Sequence, residues 1–149
     1  MGIVTSSTDL VTEFSVEECW ELLESEEFGR LAYRLADEVH IVPINYLVDG
    51  RSLLFRTAPG NKLLAAALQS DVALEIDWHD DMAAWSVVAR GHLRQLDEAQ
   101  AHRVDELARR SWLATDKYEV VELEPEALTG RRFRLHRGEP DHELRSVPR

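Results

Sequence analysis

The sequence predicts a mainly β chain, an antiparallel barrel of six or seven strands with three short helices. Three observations predict it. Short runs rich in Val, Ile, Leu, Tyr and Trp recur along the chain, most of them bounded by Gly, Asp, Asn or Pro turn signals. One run, Trp85 to Leu96, is long for a strand and carries Gly91 inside it, the sign of a bulge or bend. Another run contains Pro43, which has no backbone N–H to give to a ladder, so the strand must be irregular there. Long, bent strands favour closure into a barrel, which leaves no exposed sheet edge.

Each element has its own warrant. Ser15-Val16-Glu17-Glu18 has capping-box spacing, with Ser15 as N-cap and Glu18 at N3. Phe14 and Cys19 then stand where a hydrophobic staple forms, and the helix runs through Trp20, Leu22 and Leu23 to end near Ser25 to Phe28. Strands are expected at Arg30–Leu35, Val39–Val48 and Ser52–Thr57. Asp49-Gly50 marks a hairpin between the last two, and all three read as an antiparallel meander. Asn61 or Gly60 caps a short helix, Lys62 to Gln69. Val72–Trp78 alternates apolar and acidic residues over its second half, as a half-exposed strand does. Asp97 caps a helix through Arg110, with Ala101, Val104, Leu107 and Ala108 at helical spacing. Tyr118–Leu123 and Arg131–His136 are read as two final strands joined by Pro125 to Gly130.

At 149 residues the chain fits one domain, 1–149, with residues 1–13 as an arm and 138–149 as a polar tail. The net charge of −11 argues against nonspecific nucleic-acid binding and against attachment to anionic membranes, both of which need a basic face. No apolar run approaches the roughly 20 residues that span a bilayer. The first residues carry Asp9 and Glu13 and no apolar signal core, so a cytoplasmic location is expected. A single cysteine, Cys19, excludes an internal disulfide and a CxxC metal knuckle, and its place beside Trp20 reads as a buried thiol.

Against this acidic background one cationic cluster stands out. Leu53 to Lys62 reads as a strand, a tight turn and the first turn of a helix, with Arg56, Thr57 and Lys62 at the junction. A guanidinium, a hydroxyl and an ammonium beside unpaired backbone N–H groups are what a phosphate dianion requires. Other constellations carry less. Asp77, His79, Asp80 and Asp81 bunch in a turn and read as a solvated acidic loop rather than a metal site; His40 and His92 read as structural; Arg30 and Arg34 read as an exposed strand face; Trp112 and Tyr118 read as core packing.

These residues resemble the pyridoxamine 5′-phosphate oxidase-like superfamily of flavin-binding split β-barrels, in its small single-domain branch. The resemblance rests on five pieces in order. They are Gly29-Arg30-Leu31-Ala32; Val42-Pro43-Ile44-Asn45-Tyr46; Phe55-Arg56-Thr57 with Gly60-Asn61-Lys62; Val72 to Asp77; and Trp85-Ser86-Val87-Val88 with Gly91. It covers about Phe14 to Leu135. The resemblance implies a split barrel of Greek-key type and a homodimer with flavin mononucleotide at the interface. Pro43, Ile44 and Asn45 would lie along the isoalloxazine ring, and Phe55 would be among the cofactor-binding residues. Arg56, Thr57 and Lys62 would meet the ribityl phosphate, Asn61 would hold the turn, and Trp85 and Ser86 would approach the cofactor, in some relatives from the partner subunit.

The activity implied is reduction or oxidation of a small organic molecule by hydride transfer at flavin N5, with NADH or NADPH as electron donor. The alternatives are a flavin or haem carrier or sensor without turnover, and a reductase that uses deazaflavin; FAD or haem is a lesser alternative to FMN. Residues 137–149 lack the extra phosphate-binding residues of the enzyme that names the superfamily, so vitamin B6 oxidation is not expected. A flavin brings its own redox chemistry, so no catalytic acid or base is assigned.

Overall fold

The computed structural model describes residues 10–101 and 119–135, apart from the Leu63 side chain. Eleven elements follow one another: β1 (Val11–Glu13), α1 (Val16–Ser25), β2 (Phe28–Leu35), β3 (Glu38–Asn45), β4 (Leu47–Asp49), β5 (Ser52–Thr57), α2 (Lys62–Ala67), β6 (Asp71–His79), β7 (Ala83–Gln95), α3 (Glu98–Ala101) and β8 (Glu119–Arg134). The eight strands form one antiparallel sheet in the order β3-β2-β6-β7-β8-β5-β4, with β1 paired to β8. The sheet curls into a split half-barrel around a core that includes Leu31, Leu53, Phe55, Leu74, Ile76, Val87 and Leu123. The helix expected over Asp97–Arg110 is described only at Glu98–Ala101. Its remainder, together with Trp112, Tyr118 and the tail, lies outside the described residues.

Helix α1 plugs the inside of this curl. The capping box forms, with Ser15 N–H donating to Glu18 Oε1 at 3.1 Å and Glu18 N–H to Ser15 Oγ at 3.2 Å. Cys19, Trp20 and Leu23 of α1 are buried against the strands. Burial, then the charge of Glu18, pushes the Cys19 thiol up, which keeps it an inert core group.

Three expectations are corrected. The run Val39–Val48 is two strands, because Tyr46 leaves the sheet to bind the end of α1. Its N–H donates to the Glu27 carbonyl at 2.9 Å and its buried hydroxyl to the Leu23 carbonyl at 2.7 Å. The three-strand meander is therefore a pair of hairpins, β2–β3 and β4–β5, with no ladder joining β3 to β5 among the described residues. Finally, Glu119–Arg134 is one strand rather than two. Pro125 is tolerated inside it because the register shifts between Arg90 and Gly91, placing Pro125 opposite Gly91 and leaving Glu126 as the extra residue. Gly91 is required at that bulge, since a Cβ there would lie 3.0 Å from the Glu124 carbonyl oxygen.

Candidate functional site

The missing ladder between β3 and β5 leaves a seam, and the seam is a cavity of about 320 Å³. Leu31, Val42, Pro43, Ile44 and Phe55 make its apolar walls. Leu64 and Ala67 of α2 and Tyr33 of β2 also line it. Polar groups enter from β5 and the turn after it, through Arg56, Thr57 and Asn61. An apolar slot with a few convergent polar groups is the usual form of a small-molecule site. Pro43 contributes to it twice, by giving no N–H to a neighbouring strand and by adding a flat apolar surface.

Local sequence explains how the polar end is built. Strand β5 ends at Thr57, and the chain turns through Ala58-Pro59-Gly60 into α2. Gly60 has φ +74°, a left-handed conformation that a side chain would strain. Asn61 is the cap: its Oδ1 accepts from Leu64 N–H at 3.4 Å and its carbonyl from Ala65 N–H at 3.2 Å. Lys62 follows as the first residue of α2, exposed to solvent. Arg56 Nε and Thr57 Oγ1 are both buried, and Thr57 Oγ1 has no hydrogen-bond partner among the described residues. A hydroxyl buried without a partner costs about 1–3 kcal/mol, so a ligand oxygen at this corner would be stabilising.

A family model described as pyridoxamine 5′-phosphate oxidase matches residues 15–132, from the cap of α1 almost to the end of β8. The chain belongs to this family. A structure of the FAD binding protein from Mycobacterium smegmatis is 42% identical, covering 83% of this chain and 98% of the other, with a TM-score of 0.70. A Corynebacterium glutamicum structure with pyridoxamine 5′-phosphate oxidase as its provisional name is 34% identical, covering 89% of this chain and 100% of the other, with a TM-score of 0.78. An uncharacterised Mycobacterium tuberculosis protein is 34% identical over 132 residues, 83% of this chain and 86% of the relative.

The pyridoxamine 5′-phosphate oxidase fold places the remaining candidates unequally. Pro43, Ile44, Phe55, Arg56, Thr57 and Asn61 meet in the seam, and Lys62 adjoins Asn61. Asn45 is turned to structure, its Nδ2 donating to the Glu27 carbonyl at 2.7 Å. Trp85 and Ser86 do not line the seam of their own chain. Trp85 packs beside the core, and Ser86 stands in register with Asp77 and Arg131 on the other face of β7. The sequence does not single out Tyr33: an aromatic in an alternating strand reads as core, and its hydroxyl leaves no sequence signal.

Several of the rival residues have structural roles. Arg30 bridges Glu75 at 3.0 Å and Asp77 at 2.8 Å across the outer face of β2 and β6. Burial, with the hydrogen bond and charge of Asp77, pushes the Glu75 carboxyl up. Asp80 accepts the N–H groups of Met82 and Ala83 at 2.7 and 2.8 Å, closing the β6–β7 turn, and the Ala83 and Met82 hydrogen bonds hold its carboxyl below the ordinary range. No cluster among the described residues could hold a metal ion.

His92 lies between Glu126 at 2.8 Å and Asp71 at 2.6 Å, tying β6, β7 and β8 together at the bulge. The hydrogen bond and charge of Glu126, then Asp71, raise its pKa. A raised folded pKa stabilises the fold below the unfolded value of about 6.5, and that contribution disappears as pH rises through the folded value. Thermal melts should therefore show His92→Gln less stable than the parent at about pH 5.5, with the gap narrowing by about pH 9. A gap independent of pH would show that His92 acts by packing alone.

Proposed function

We propose that the seam binds a flavin nucleotide, with its phosphate at Arg56, Thr57 and Lys62 and its ring along Pro43 and Ile44. One observation carries this reading: a single cavity joins an apolar slot to a cationic corner in which Thr57 Oγ1 is buried without a partner among the described residues. The residues fit the group. A flavin ring needs flat apolar walls, and its phosphate, close to two negative charges, needs charged and hydroxyl donors. FMN and FAD both have a phosphate at this position. The 42% identical structure is that of a FAD binding protein, which favours the dinucleotide.

Flavin, once bound, supplies the electron-transfer chemistry, so the activity in this reading is that of an oxidoreductase acting on a small organic molecule. The chain's own residues bind and orient. Arg56 and Lys62 neutralise the phosphate, Thr57 donates to it, and Pro43 and Ile44 exclude water from one side of the ring. A cytoplasmic location belongs to the same reading; no helix among the described residues is long and apolar enough to cross a membrane.

A homodimer is the second part of the proposal. Val39 and Ile41, 68% and 66% exposed, form an apolar outer face on β3, a strand that borders the seam. Adjacent exposed apolar side chains of this kind favour a protein partner. In the arrangement that the family resemblance implies, a second copy would bring its own Trp85 and Ser86 toward the flavin. Sedimentation would then show a species of twice the 17.0 kDa chain.

The test is the visible spectrum of the purified protein, followed by mass spectrometry of whatever heat releases. The expected result is an oxidised-flavin spectrum, release of FMN or FAD, and anaerobic bleaching by NADH or NADPH. A haem spectrum, or a colourless protein that takes up no flavin, would contradict the proposal. Bound flavin that NADH and NADPH leave oxidised would favour a carrier.

A further inference from the structure

Two tyrosines are fully buried in the described residues, and only one of them is satisfied. Tyr46, 1% exposed, donates its hydroxyl to the Leu23 carbonyl at 2.7 Å. Tyr33, 2% exposed, has no hydrogen-bond partner for its hydroxyl among the described residues. Most buried polar side-chain atoms have a partner, so a tyrosine kept in a core without one needs a reason. Phenylalanine would fill the same space without the desolvation cost of the hydroxyl. Tyr33 also lines the seam cavity, the same cavity that Thr57 lines with its own unpartnered hydroxyl.

Position along the strands says which part of a ligand Tyr33 would meet. Tyr33 stands in register with His40, three residues from Pro43 on β3. At about 3.3 Å per residue this puts it roughly 10 Å from the Pro43 end; α2 packs against β2, and its Leu64 and Ala67 line the same cavity as Tyr33. The ring of Tyr33 is fixed there by a flat stack on His40, with centroids 5.4 Å apart and planes at 14°.

We infer that Tyr33 is a ligand-binding residue whose hydroxyl donates to an oxygen on the ribityl–phosphate arm of the flavin. The inference rests on the flavin reading above and adds a residue to it. Two kinds of oxygen on that arm would serve, a ribityl hydroxyl or a phosphate oxygen, and both accept from a phenol.

Tyr33→Phe removes the hydroxyl and keeps the ring and its stack. Fluorescence titrations of the parent and the variant with FMN and with riboflavin separate the outcomes. A neutral hydrogen bond corresponds to about three- to tenfold in affinity. The expected result is that loss for FMN, with the melting temperature of the ligand-free variant equal to or above the parent's. An equal loss for riboflavin assigns the bond to a ribityl hydroxyl, and a loss confined to FMN assigns it to the phosphate. Unchanged affinity for both flavins would overturn the inference, as would a ligand-free variant that melts well below the parent. If the parent binds none of FMN, FAD and riboflavin, the flavin reading has failed and takes this inference with it; if it binds FAD alone, the same parent–variant comparison is read with FAD.

Discussion

Gly29→Ala is expected to lower the stability of the fold by about 3 kcal/mol, the upper end of what overpacking a core costs. For a domain of this size that is about 6–12 °C in melting temperature. Gly29 is buried in β2, where a Cβ would lie 2.7 Å from the Glu75 carbonyl oxygen and 2.9 Å from Ile76 Cγ2. The first contact is with backbone in the middle of β6, so relief requires β2 and β6 to move apart rather than a side chain to rotate. Arg30 to Tyr33 pair with Val72 to Glu75 immediately beside it, so the strain falls on the ladder that carries Leu31 and Tyr33 to the seam. A thermal melt of the variant checks this, and a melting temperature within about 1 °C of the parent would contradict it. Gly50 is glycine for a different reason: a Cβ there meets nothing within 4 Å, but its φ of +61° is the left-handed conformation that a side chain strains.

Much of this architecture is legible in the sequence because it is local. The capping box at Ser15, the Asp49-Gly50 hairpin and the Asn61 cap involve residues within a few positions of one another, and each forms as read. What escapes is set by distant partners. Pro125 reads as a strand terminator until Gly91, more than thirty residues away, is known to sit opposite it at a bulge. Tyr46 reads as strand until the carbonyls of Leu23 and Glu27 are placed beside it. Strand order is the same kind of quantity: β5 pairs with β8, and no pattern within Ser52–Thr57 names that partner.

The site divides along the same line. Arg56, Thr57 and Asn61 are close in sequence and carry recognisable chemistry, so the polar corner is readable. Pro43 and Ile44 join it through the family resemblance, and the structure sets them on walls of the same cavity. Tyr33 is invisible to both approaches, because its interest lies in a missing partner. Trp85 and Ser86 illustrate a further limit: the family resemblance names them, and the seam of one chain does not include them.

Lys62→Ala is the other substitution with a large expected effect, and it bears on what holds a ligand rather than on the fold. Lys62 is exposed at the start of α2, so its truncation leaves the buried walls of the seam intact. A charge-assisted hydrogen bond to phosphate is worth about 1.5–3 kcal/mol, or about ten- to a hundredfold in affinity. Riboflavin has the same ring and ribityl chain but no phosphate. Titrating parent and Lys62→Ala with FMN and riboflavin side by side therefore isolates the anionic grip from everything else in the site. The account predicts an FMN affinity ten- to a hundredfold weaker in the variant, with riboflavin affinity nearly unchanged. Equal losses for both flavins, or no loss for FMN, would contradict it.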